Sequence, residues 1–181
     1  IENNKSIKVC ALTGCASILL GCKATTIHRF AGIGLANKSI DEVVNSLFKK
    51  SQDKDKDKYN YKLRQWYSLK VLIVDEVSMM SLKLLLILDK IARRIYNKPK
   101  LPFGGLQVIF SGDFYQLPPV NDNEVDEDAS LFCFESDIWS ETFTTIHNLT
   151  KIFRQKDKEF SKLLNNIRIG NITESNLKIL K

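Results

Sequence analysis

Val71-Leu72-Ile73-Val74-Asp75-Glu76-Val77-Ser78 is the stretch that decides how this chain folds. Four apolar residues in a row, three of them β-branched, read as a strand buried on both faces, as in a parallel sheet. Two carboxylates follow, and unpaired charge is not left inside a sheet, so Asp75 and Glu76 should emerge at the strand's C-terminal end. In open α/β sheets that edge is where ligands bind. Strand, acidic pair, the Ser78 hydroxyl and a following apolar helix suit a magnesium–nucleotide site, with Asp75 on the metal and Glu76 polarising water. The stretch reads equally as an exposed strand-to-helix turn that happens to carry two acids.

Upstream, Ile7 to Leu12 reads as a first strand, followed by Thr13-Gly14-Cys15-Ala16. Small and apolar residues from Ala16 to Leu20 suit a helix packed closely on a sheet, ended by Gly21. Ala24-Thr25-Thr26-Ile27-His28-Arg29-Phe30-Ala31-Gly32-Ile33-Gly34 mixes hydroxyls, a histidine, an arginine and an aromatic ring. Such a loop offers donors and a stacking surface to a nucleic-acid strand. It fits a buried helix start with a satisfied His28 just as well.

Ser39 reads as an N-cap with Asp41 and Glu42 in the first turn, opening a helix to about Lys49. Residues 50–58 alternate charge with nothing apolar and are expected to form a flexible surface insertion. Tyr59 to Tyr67 re-enters as a helix, with Trp66 packing just before the central strand. Beyond that strand, Ser81 to Tyr96 carries Leu84, Leu85, Leu88, Ile91, Ala92 and Ile95 at helical spacing, with Lys83, Lys90 and Arg94 on another face.

Leu106 to Phe110 is a further apolar strand, expected to be buried, and it delivers Ser111-Gly112-Asp113-Phe114-Tyr115-Gln116-Leu117-Pro118-Pro119-Val120. Gly112 allows close backbone approach, Asp113 supplies charge, and Gln116 can bond a phosphate or the attacking water. Two polar clusters at the ends of two apolar strands are harder to dismiss than one. Asn121 to Asp128 reads as a solvated acidic loop, and Phe132 to Trp139 as aromatic core. Thr144 to Leu149 reads as another strand, leading to Phe153-Arg154-Gln155. Phe160, Leu163, Leu164 and Ile167 mark an amphipathic helix stopped by Gly170, and Thr173-Glu174 opens one more short helix.

At 181 residues the chain is long enough for one domain with a real core. A net charge of +6 permits a nucleic-acid partner without demanding one. The four cysteines lack C-x-x-C spacing and only two histidines accompany them, which argues against zinc and disulfide frameworks. Buried free thiols in a reducing compartment, nuclear or cytoplasmic, are the plain expectation. No apolar run approaches membrane-spanning length and no signal peptide is visible. The opening at Ile1, without methionine, suggests a piece of something longer.

Taken as a set, six blocks occur in order: Thr13–Ala16, Thr25–Ile33, Val74–Met79, Pro102–Gly105, Gly112–Val120 and Phe153–Gln155. Their order and spacing closely resemble the Pif-type family of superfamily-one DNA helicases, which share a RecA-like motor with RecD-type enzymes. The Gly112–Val120 and Thr25–Ile33 blocks are the specific ones. The wording of Thr13–Leu20 is reminiscent of versions in large DNA viruses and some protists.

The resemblance implies a RecA-like, P-loop NTPase fold: a three-layer α/β/α arrangement on a mostly parallel sheet, truncated at its N-terminus. It implies ATP-driven 5′-to-3′ movement on single-stranded DNA and the unwinding of DNA junctions, in repair, recombination or telomere maintenance. By that likeness Asp75 coordinates Mg2+, Glu76 activates water, Gln116 senses the γ-phosphate, and Arg154 places a guanidinium on it. Thr26, His28 and Phe30 would line the DNA path. No Gly-x-x-x-x-Gly-Lys-Ser/Thr segment occurs in the chain, and the resemblance puts that loop before the first strand. Residues 1–181 are therefore expected to be part of a first motor domain, monomeric and inactive alone, with 170–181 starting the link to a second. Two readings compete: a single-stranded nucleic-acid binder without hydrolysis, and an α/β scaffold whose acidic strand ends are only solvated turns.

Overall fold

The computed structural model describes residues 6–34, 36–49, 63–120 and 131–180. The charged insertion expected at 50–58 and the acidic loop expected at 121–128 lie outside them. The chain divides into two compact units, Ile1–Thr144 and Thr145–Lys181.

The first unit is built on four parallel strands: β1 (Ile7–Ala11), β2 (Thr25–Thr26), β3 (Val71–Asp75) and β4 (Gln107–Phe110), in the order β2-β1-β3-β4. Its helices are α1 (Gly14–Leu20), α2 (Ile27–Ala31), α3 (Ile40–Phe48), α4 (63–67), α5 (Leu82–Ile95) and α6 (Asp137–Thr142). The α/β class and the parallel sheet expected from the sequence are what the chain adopts.

Local signals set the helix starts. Thr13 Oγ1 accepts from Ala16 N–H (3.2 Å), so α1 begins two residues before the apolar run suggested. Ser39 and Glu42 form a reciprocal capping box at α3, which holds the Glu42 carboxyl below the usual carboxylate range. Ser81 caps α5 through Leu84 N–H (3.2 Å).

The register puts Cys10, Val74 and Phe110 on one face of the sheet, together with Leu72 and Val108. Leu72, Val74 and Cys10 share one core with Ile27 and Phe30 of α2, Val43, Val44 and Leu47 of α3, Trp66 of α4, and Leu85, Leu88 and Ile91 of α5. The opposite face is thinner. Val71 and Ile73 are only half-buried, and Ile109 of the edge strand β4 is 45 % exposed. The expectation of strands buried on both faces is corrected accordingly, because the core helices gather over the Leu72–Val74 side. Ile18 and Leu19 of α1 are likewise exposed.

Three further expectations change. Lys83 is buried at the first turn of α5, where Leu82 N–H donates to Leu131 O (2.9 Å) and Ser81 bridges Phe132. Thr144–Leu149 forms no strand, since no backbone among the described residues pairs with it. Cys15 is exposed and Cys22 half-buried, whereas burial pushes the Cys10 and Cys133 thiols up to about 12, leaving them protonated.

The second unit holds α7 (Lys158–Arg168) and α8 (Glu174–Leu180), close to the two helices expected there. Asp157 caps α7 through Glu159 and Phe160 N–H. Asn176 Oδ1 accepts from Asn166 Nδ2 and from Thr173, tying α7 to the start of α8. Among the described residues no helix is long and apolar enough to cross a membrane.

Candidate nucleotide site

Strand β3 ends at Asp75, whose carbonyl accepts from Leu12 N–H (3.2 Å) at the end of β1. Glu76 then turns the chain with left-handed dihedrals (φ 59°, ψ 41°) into a single 3₁₀ turn, Val77–Met79. That conformation costs an L-residue about 1–2 kcal/mol, and such strain concentrates at functional sites. Both carboxylate-bearing residues are half-buried at the rim of the sheet.

The end of β4 is stitched to this turn. Ser111 N–H donates to Val74 O (2.9 Å) and Val77 N–H donates back to Ser111 O (3.1 Å). Gly112 sits so close that a Cβ there would lie 2.8 Å from Val77 N and 3.0 Å from Val77 Cγ2. The close approach expected of Gly112 is thus made to the neighbouring strand end. Gly112→Ala should therefore force the two ends apart, costing about 1–3 kcal/mol. Chemical unfolding and nucleotide binding measured on the same variant would check this.

Beyond Gly112, Asp113 organises a tight turn. Its Oδ1 accepts from Tyr115 N–H (3.2 Å), its carbonyl from Gln116 N–H (2.8 Å), and its Oδ2 from Gln116 Nε2 (3.2 Å). Phe114 anchors the turn against Phe134 (4.9 Å) and Trp139 (5.7 Å). The first unit thus brings Asp75, Glu76 and Gln116 to two adjoining strand ends. Arg154 lies in the second unit, exposed, on the segment before α7.

Two observations bear on whether these ends suit a metal–phosphate group. Asp75, half-buried at the end of β3, sets a carboxylate at the rim of the sheet next to the Gly112 contact. Ser78, beside it, is buried with a hydroxyl that has no hydrogen-bond partner among the described residues. A buried hydroxyl left unpaired costs about 1–3 kcal/mol. A carboxylate at the strand end plus a spare hydroxyl fits Mg2+, which takes one or two carboxylates and completes its shell with phosphate and water.

The expected nucleic-acid residues fare differently. Thr26 Oγ1 caps α2 by accepting from Arg29 N–H (3.3 Å) and keeps its proton free to donate. His28 is half-buried on the first turn of α2, and burial pushes its pKa below the ordinary value, so it is neutral at pH 7. Phe30 is 2 % exposed and packs on Trp66 at 4.9 Å. The ring faces the core, because α2 turns it inward between Ile27 and Ala31.

Sequence reasoning missed Asp89. Its carboxylate, 1 % exposed, accepts from Arg93 Nε (2.6 Å) and from Phe103 N–H (2.7 Å), while Arg93 Nη1 donates to Pro99 O. This network fixes Phe103 and Gly104 in positive-φ conformations directly before β4. A Cβ at Gly104 would lie 2.7 Å from Ala92 O. The available signal was an acid falling in phase with Leu85, Leu88 and Ala92, four residues before an arginine.

The comparisons agree with this architecture. The family model for PIF1-like helicases matches residues 1–178. The chain is 42% identical over its whole length to the Saccharomyces cerevisiae ATP-dependent DNA helicase RRM3, of which it covers 23%. Among solved structures, the Candida albicans Pif1 helicase superposes with a TM-score of 0.80 at 36% identity, over 96% of this chain and 36% of that one. A Bacteroides Pif1 helicase in complex with ADP-AlF3 and ssDNA gives 0.77 at 34% identity, over 98% and 39%. The chain thus spans about a quarter of the length of the curated relative and under two-fifths of the solved ones. Its strand ends, its turn chemistry and these likenesses together make it a member of the PIF1-like helicase family.

Proposed function

We propose that this chain forms part of the motor of an ATP-dependent DNA helicase that couples hydrolysis to 5′-to-3′ movement along single-stranded DNA. The observation that carries the proposal is the junction of the β3 and β4 ends, sealed at Gly112, which sets an acidic pair beside a polar turn. Asp75 would hold Mg2+, and that ion, when bound, supplies positive charge to the phosphate oxygens. Glu76 accepts a proton from the attacking water. Gln116, on leaving Asp113, orients that water or the γ-phosphate. Arg154 contributes a guanidinium to the charge that develops there.

On this reading Thr26 and neutral His28 contact the DNA strand through hydrogen bonds, with no base stacked on Phe30. Junctions met in repair, recombination or telomere maintenance are the proposed substrates. The relatives' names, and the nucleotide analogue and ssDNA held by the Bacteroides protein, support it. The test is strand separation by the full-length protein on partial duplexes. A 5′ single-stranded tail should permit ATP-dependent unwinding and a 3′ tail should not; failure on both would overturn the proposal.

A further inference from the structure

Ser78 lies where the two strand ends meet, and several backbone groups of its turn are already hydrogen-bonded. Val77 N–H is bonded to Ser111 O, Val77 O accepts from Met80 N–H and from the Cys133 thiol, and Glu76 O accepts from Met79 N–H. Gly112 packs against the same turn, a Cβ there falling 3.4 Å from Ser78 N. The Ser78 hydroxyl, 1 % exposed, is left without a partner among the described residues. An alanine would fill nearly the same volume with no polar group to strand, so the hydroxyl works against the stability of the empty fold.

We infer that Ser78 is a positioning residue of the nucleotide site, its Oγ–H finding its acceptor only when a metal-bound triphosphate is in place. This rests on the nucleotide reading given above. The acceptor chemistry is an oxygen of the incoming group, either a phosphate oxygen or a water bound to the metal. Hydrogen bonding then fixes the Glu76–Met80 turn in the geometry that hydrolysis needs. Donation of this kind strengthens as negative charge gathers on the phosphate oxygens.

The test compares wild-type and Ser78→Ala full-length protein by melting temperature without ligand, by affinity for ADP–aluminium fluoride, and by single-stranded-DNA-stimulated ATP turnover. The variant should melt at or above the wild-type temperature. Its affinity for ADP–aluminium fluoride with Mg2+ should fall about tenfold, and its kcat should fall while KM for ATP changes little. Repeating the comparison with ADP alone, with Mg2+ and in EDTA, distinguishes the sources, because ADP–aluminium fluoride itself needs the metal to bind. A loss that persists identifies a phosphate oxygen, and one that disappears identifies metal-bound water. Unchanged affinity and turnover, or a melting temperature lowered in step with both, would overturn the inference. Wild-type protein that fails to bind ADP–aluminium fluoride at all would instead sink the nucleotide reading, and this inference with it.

Discussion

Glu76→Gln in the full-length protein should lower DNA-stimulated ATP turnover by about a hundred- to ten-thousand-fold, the range for losing a positioned general base. Nucleotide should still bind. The amide is nearly the same size as the carboxylate, so the left-handed turn at residue 76 (φ 59°) and its hydrogen bonds to Val77–Met80 should persist. What disappears is the capacity to take a proton from water. Steady-state turnover together with equilibrium binding of ADP separates the two effects. Turnover retained within a few-fold of wild type would remove Glu76 from that role.

The second large effect lies at a residue with no part in the chemistry. Asp89→Ala leaves the Phe103 N–H and the Arg93 guanidinium without their buried acceptor, and should destabilise the first unit by about 3 kcal/mol. Arg93 keeps partial solvent access, which sets the figure at the lower end for a broken buried pair. Asp89→Asn retains an acceptor for Phe103 N–H and loses only the charge, so its cost should be about 1–2 kcal/mol. Because Phe103 and Gly104 hold strained backbone directly before β4, the loss should be local first. Hydrogen exchange of peptides covering residues 99–110 should quicken in Asp89→Ala before that of β1. Uniform protection in both variants would mean that the network is incidental.

Much of the site was legible because it follows from periodicity and charge. An apolar run ending in two acids has few places to go in a parallel sheet, and β3 ends where the acids begin. Ser81 and the Leu84–Leu88–Ile91 spacing fixed α5 for the same reason. Interactions with no local signature were not legible. Phe30 looked like a stacking ring because its neighbours are polar, yet the phase of a five-residue helix turned it onto Trp66. Thr144–Leu149 has strand-like composition, but a strand exists only where a second backbone is present to pair with it. Asp89 is buried against a residue distant in sequence, Phe103, whose N–H donates to its carboxylate, and a helical wheel does not contain that contact. The unpaired Ser78 hydroxyl is visible only in three dimensions, where the residue is buried and no partner among the described residues reaches it.

The most direct test of the central claim is a crystal structure of the full-length protein with Mn2+ and a non-hydrolysable ATP analogue, located by the metal's anomalous signal. Mn2+ here stands in for Mg2+. The ion should lie about 2 Å from an Asp75 carboxylate oxygen, with the Gln116 amide turned from Asp113 toward the terminal phosphate. An ion and triphosphate bound away from the β3 and β4 ends, with Asp75 and Gln116 facing bulk solvent, would contradict the account.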